Sequence, residues 1–154
     1  MIQRIQSIYL FLAVCVLMLL TANPFARILL KTGDVVSLEI FKSSVDPFSG
    51  TSGIPLWPLA VLLVTVLALL LLVIFFYRKR VLQVRLCMLT ILIMFGFEGM
   101  IYLYTKLTIA RFQAENSLFL WPALIPFIAI ILTYLAMKAI QKDDALVKSY
   151  ERLR

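Results

Sequence analysis

Apolar residues fill four stretches of this chain, 5–22, 56–77, 86–104 and 118–140, and polar residues collect in the connectors between them. Each stretch approaches the roughly 20 residues that an α-helix needs to cross the hydrocarbon core of a bilayer. None alternates strictly between apolar and polar positions as a barrel strand does. Backbone in lipid must satisfy its own hydrogen bonds, so the four stretches predict helices. The expected fold is all-α: a four-helix transmembrane bundle, up-down-up-down, forming a single four-span membrane domain over 1–154, with an outer loop at 23–55 and a cytoplasmic tail at 141–154.

The outer loop carries a shorter period. Val36, Leu38 and Ile40 alternate with Ser37 and Glu39, and Thr32-Gly33-Asp34 separates this run from 27–31. Strand, glycine turn and strand make a small β-hairpin in the first extracytoplasmic loop. An isolated hairpin is marginal in water, so it is expected to lie on the outer rim of the bundle, on the second outer connector, or on another protein, with its edge as a docking surface. Residues 43–53, rich in Ser, Gly and Thr, read as an exposed loop. The second connector, 105–117, mixes Leu107, Ile109 and Phe112 with Lys106, Arg111 and Glu115, as a third span would if it continued past the bilayer or bent along its surface. Ser117 reads as the N-cap of the fourth helix.

Composition supports lipid as the solvent, because 63% of residues are hydrophobic and 15% charged, far from the usual soluble balance. The basic residues add direction. Arg4, Arg78, Lys79, Arg80, Arg85, Lys138, Lys142, Lys148, Arg152 and Arg154 fall on one side of the expected spans, leaving five of the 15 Lys and Arg on the other. Positive charge accumulates on cytoplasmic segments, so both termini are expected to be cytoplasmic. The net charge of +7 then reflects topology and contact with anionic headgroups, and no basic soluble domain exists to bind nucleic acid. The first stretch has the charged start of a signal peptide. Leu20 nevertheless stands where a small residue is wanted before Ala22, and Pro24 follows closely, so retention is expected.

Interface anchors sit where such a layout wants them. Trp57, Trp121, Tyr102 and Tyr104 fall at the outer boundary, and Tyr9, Tyr77 and Tyr134 fall toward the inner one. Cys15 and Cys87 lack the C-x-x-C spacing of an exchange site and read as small buried thiols. The chain has no His, no nucleophile beside an identifiable base, no metal-ligand cluster and no phosphate loop. An enzyme is therefore not expected, and neither a metal nor a cofactor is implied.

Glu98 is the charge that demands an explanation, since a carboxylate near the bilayer centre costs on the order of 2.5–3.5 kcal/mol. Counting roughly 1.5 Å per residue places it about 12 Å below Lys106. Thr65 and Pro126 fall at similar depth. Pro126 removes the usual helical donor to the carbonyl of Pro122, so Glu98, Thr65, Pro122 and Pro126 form a candidate polar layer. Gly96 and Gly99 flank the acid and allow close approach. Glu98 serves either as a proton or cation relay or as a hydrogen-bonding residue that fixes helix register. The second role is favoured, because no other intramembrane acid, His or Lys continues a path.

At the carboxyl end, Leu146, Tyr150 and Leu153 recur on one face of a helical pattern that prolongs the fourth span. This stripe is a candidate partner surface, to be covered by the 78–85 loop, by headgroups or by a cytoplasmic protein.

Both ends carry a resemblance. The opening Met1-Ile2-Gln3-Arg4-Ile5-Gln6-Ser7-Ile8-Tyr9-Leu10 and the close, Leu132-Thr133-Tyr134-Leu135-Ala136 with Lys142-Asp143-Asp144-Ala145-Leu146-Val147-Lys148-Ser149 and Arg152-Leu153-Arg154, resemble a four-span membrane family of Bacteroidota described as domain of unknown function 4293. The resemblance implies a bacterial inner-membrane protein and brings no activity, cofactor or site residue. A claudin-type tetraspan is disfavoured, because the outer loop lacks the paired cysteines and tryptophan motif of that type. The expected function is a structural or accessory subunit contacting a membrane or cytoplasmic partner through the outer loop and tail. The alternative is a homo-oligomer that transports or conducts protons or ions through Glu98.

Overall fold

The computed structural model describes residues 3–29, 35–41, 43–44, 56–77, 79–112 and 116–152, with side chains from 6 to 145 except those of 43, 44, 112 and 116–118. Four helices dominate: α1 (Gln3–Ala22), α2 (Trp57–Phe75), α3 (Arg80–Phe112) and α4 (Ile125–Arg152). Between them lie strands β1 (Ala26–Leu29), β2 (Val35–Leu38), β3 (Ser43–Ser44) and β4 (Asn116–Phe119), and a 3-10 turn, Trp121–Leu124. Pro58 lies in the first turn of α2 and Pro122 in the 3-10 turn, where a missing N–H costs little.

The helices pack in a ring, with α1 against α4 and α2, and α3 against α2 and α4. Their inward positions recur at alternating steps of four and three, as in Leu59, Leu63, Val66, Leu70 and Val73 of α2, the spacing that keeps one seam facing its neighbours. In α3 the seam runs Gln83, Cys87, Thr90, Met94, Phe97, Ile101, Thr105 and Thr108. The outward positions are also apolar: Phe11, Val61, Val64, Phe75, Leu92, Phe95 and Ile131 are all exposed. Three helices, within Trp57–Phe75, Arg80–Arg111 and Trp121–Ala145, are long and apolar enough to cross a membrane. The apolar described part of α1, Gln6–Ala22, is shorter.

Polar groups on the seam are satisfied locally or across it. The hydroxyls of Thr90, Thr105, Thr108 and Thr133 donate to carbonyls one turn earlier, at 2.7–2.8 Å, which removes the cost of burying them. Gln6 Nε2 donates to the Ala139 carbonyl at 3.1 Å, and Arg80 Nη2 lies 3.3 Å from Asp143 Oδ2. These contacts bring the start of α1, the start of α3 and the far part of α4 to one end of the ring.

At the opposite end the expected hairpin is present and is part of something larger. β1 and β2 pair antiparallel, with Ala26 opposite Leu38 and Ile28 opposite Val36. β4 pairs with the other edge of β1, and β3 with the other edge of β2, giving the order β3-β2-β1-β4. The hairpin thus lies on the second connector, one of the three placements expected for it, and because both of its edges are paired within the chain they are not the docking surface that was expected. Phe25 extends the junction: its N–H donates to the Leu38 carbonyl, its own carbonyl accepts from the Leu120 N–H, and its side chain is fully buried. Ala26, Ile28, Val36 and Leu38 join the helical core, so the sheet packs on the end of the ring.

Several boundaries differ from expectation. Ser117 caps no helix; it lies in β4 opposite Ile28, because backbone pairing with β1 offers more than one side-chain cap. Ser43 and Ser44 form β3, whereas the remainder of the expected loop, 45–53, and the turn at 32–34 lie outside the described residues. Helix α3 begins at Arg80 and continues through Phe112, so 80–85 is helix and not loop, and most of the second connector is an extension of α3. Helix α4 runs through the tail to Arg152.

Candidate functional site

Glu98 lies beside an open groove of about 400 Å³ between α3 and the junction of β4 with α4. Phe95, Glu98, Gly99, Ile101 and Tyr102 supply the α3 wall, one helical turn on either side of the acid. Phe119, Ala123 and Phe127 supply the other wall. Phe119 stands opposite Ala26 in the ladder, and directly opposed residues share a face. It therefore points to the helix side of the sheet and, from the edge strand, overhangs α3.

Among the described residues the side chains lining the groove are apolar apart from the carboxyl and the Tyr102 hydroxyl. Oε2 of Glu98 is buried and has no hydrogen-bond partner among the described residues, an arrangement that buried polar atoms rarely show. Beyond it, Lys106 Nζ stands 5.7 Å from the centroid of the Tyr102 ring, a cation held over an aromatic face. Phe95, Tyr102, Phe119 and Phe127 are each about half exposed, so the groove opens sideways, onto the outer surface of the ring of helices.

The expected polar layer does not assemble. Thr65 is exposed on the outward face of α2, and its hydroxyl donates to the Val61 carbonyl at 2.8 Å within its own helix. The Pro122 carbonyl accepts the Ile125 N–H across the 3-10 turn, which supplies the donor that Pro126 removes. Pro122 and Pro126 are buried and neither lines the groove. What surrounds Glu98 instead is the aromatic wall. Phe95 and Tyr102 could be found in the sequence at three residues before and four after the acid, whereas Phe119 arrives only through the pairing of β4 with β1 and Phe127 through the packing of α4 on α3.

At the other end, a cavity of about 410 Å³ lies between the start of α3 and the far part of α4, lined by Arg80, Val81, Val84, Arg85, Gln141, Asp144 and Ala145. Arg80 is engaged there with Asp143, through the ion pair and through an Nη1 bond to its carbonyl at 3.4 Å. Leu146 and Tyr150 fall on the helical tail, but their side chains, and Leu153 altogether, lie outside the described residues. Among the described residues no three His, Cys, Asp or Glu side chains gather as a metal site would need. Cys15 is exposed and Cys87 buried, both as free thiols.

No curated protein and no solved structure matches the chain. Residues 2–153, nearly the whole chain, match the family described as Domain of unknown function (DUF4293), and the chain belongs to that family.

Proposed function

We propose that the chain is a four-span protein of a bacterial inner membrane, up-down-up-down with both termini cytoplasmic, and that it acts as an accessory subunit contacting partner proteins through its sheet-capped outer end and its tail. The apolar outward faces of the helices support spanning. Helix α1 shares that surface through Ile8, Phe11, Leu12, Met18 and Leu19, all exposed, and it packs between α2 and α4, so it belongs in the same solvent as its neighbours. The orientation rests on the Lys and Arg gathered at the end away from the sheet.

The accessory reading is carried by one pair. Leu29 and Val35 stand directly opposite each other across β1 and β2, both exposed on the face turned away from the helical core. An apolar cross-strand pair on the water-facing side of a membrane protein's cap is a contact surface awaiting a cover. A photo-crosslinking residue at position 29 or 35, with position 131 on the apolar belt as control, tests this in native membranes. A discrete heteromeric adduct from 29 and 35 supports the reading, and lipid adducts alone from all three positions defeat it.

A second reading, favoured by the unpartnered Oε2 of Glu98, has copies of the chain conducting protons or ions around that carboxyl. Purified protein in vesicles should then show flux that Glu98→Gln abolishes while the fold survives. Equal flux in the two proteins removes this reading.

A further inference from the structure

The geometry points to the groove beside Glu98 as a lateral binding site for a long-chain primary amine, an amphiphile with an ammonium head and a hydrocarbon tail that enters from lipid. The inference rests on the membrane-spanning reading above and adds a ligand to it.

Charge complementarity carries the assignment. Among the described residues the groove has one formally charged lining group, the Glu98 carboxyl, and no Lys or Arg lines it. Its Oε2 is a buried acceptor without a donor among the described residues, and a charge-assisted N–H···O bond from an ammonium would satisfy it. The remaining walls also suit a cation, because Phe95, Tyr102, Phe119 and Phe127 present four aromatic rings around the acid, and aromatic faces attract ammonium groups. Tyr102 already does so for Lys106. That lysine stands one turn farther out and is held over the ring, leaving the carboxyl free for a second cation.

Tail and route follow from the same surface. About 400 Å³ is room for a head and the first part of a chain. The groove opens on the exposed side of α3, where Leu92 and Phe95 continue as an apolar track for the rest. A Cβ built on Gly96 or Gly99 would meet nothing within 4 Å, so this face of α3 is flat and unobstructed. The hydrogen bond selects a primary amine over a quaternary one, which has the charge but no N–H to donate.

Native mass spectrometry of the full chain in mild detergent, titrated with dodecylamine, dodecyltrimethylammonium and dodecanol, tests this. The expected result is a saturable one-to-one dodecylamine adduct, with dodecanol and the quaternary amine each about tenfold weaker or more. Glu98→Gln should weaken dodecylamine by about the same factor, and Thr65→Val should leave it unchanged. Gly99→Leu, whose side chain enters open space, should fold and occlude the groove, so it decides the matter if Glu98→Gln fails to fold. Equal binding of the alcohol, equal binding of the quaternary amine, or an undiminished adduct in both groove variants overturns the proposal. Sidedness of single cysteines at positions 37 and 142, read in cell membranes, reports the spanning reading separately.

Discussion

Gln83 Nε2 donates to the carbonyl oxygen of Val73 at 2.9 Å, tying the first turns of α3 to the last turn of α2. Val73 is among the last residues of α2, whose carbonyls have no helical N–H to accept from, and the side chain supplies the missing donor within a buried setting. Gln83→Leu keeps the volume and loses the bond. It should destabilise the protein by about 1 kcal/mol, visible as a lower melting temperature by circular dichroism in detergent. An unchanged melt would mean that water already serves this carbonyl.

The union of the two connectors at the sheet end can be tested covalently. Arg27 and Leu118 are opposed in the β1–β4 ladder, and opposed Cα atoms in an antiparallel pair lie about 4.5–5.5 Å apart, within disulfide range. In a chain with Cys15 and Cys87 replaced by Ala, Arg27→Cys with Leu118→Cys should oxidise to an intramolecular bridge. Proteolysis between the connectors followed by non-reducing electrophoresis reads the outcome, and separated fragments would contradict the pairing.

Sidedness gives an independent prediction. A single cysteine at Ser37, on the sheet, should react with an impermeant maleimide added to intact spheroplasts. One at Lys142, on the far part of α4, should react only after the membrane is opened. Labelling of both from outside would place the two ends of the ring in one compartment and end the proposed topology.

Glu98 and Gly99 should both be costly to keep. Glu98→Leu removes a buried oxygen that no group among the described residues satisfies and should stabilise by about 1–3 kcal/mol. Gly99→Ala adds a methyl that meets nothing and should add about 0.5–1 kcal/mol through helix propensity. Chemical denaturation in detergent measures both, and a loss of stability in Glu98→Leu would show that the carboxyl holds the fold.

The four helices were readable from hydropathy, but their inward faces were not. In α2, Leu63 and Val66 face inward while Val61 and Val64 face outward, and no difference in polarity separates them, because lipid and core are both apolar. Thr90, Thr105, Thr108, Thr133, Gln6 and Gln83 are the visible marks of the seam, since a polar side chain does better inside than against lipid. Thr65 shows the limit of counting along a helix: the count puts it level with Glu98, but its azimuth, about 100° from Val66, turns it outward. The hairpin was legible because Val36 and Leu38 alternate with Ser37. Strand β4 was not, because Asn116 and Ser117 carry a helix-cap signature and only β1, some ninety positions earlier, makes them a strand. The part of the groove that Phe119 supplies depends on that long-range pairing and was hidden with it.

Phe25 has a mechanical consequence. Its two backbone hydrogen bonds stitch β2 to the chain leading into α4, so spreading the helices at the sheet end would tear a continuous ladder of backbone hydrogen bonds. At the opposite end the helices are joined by separate side-chain ties, from Gln6, Gln83 and Arg80, which can release one at a time. The molecule is hinged like a clothes-peg, with the spring at the sheet and the jaws at the end where Gln6 meets Ala139 and Arg80 meets Asp143.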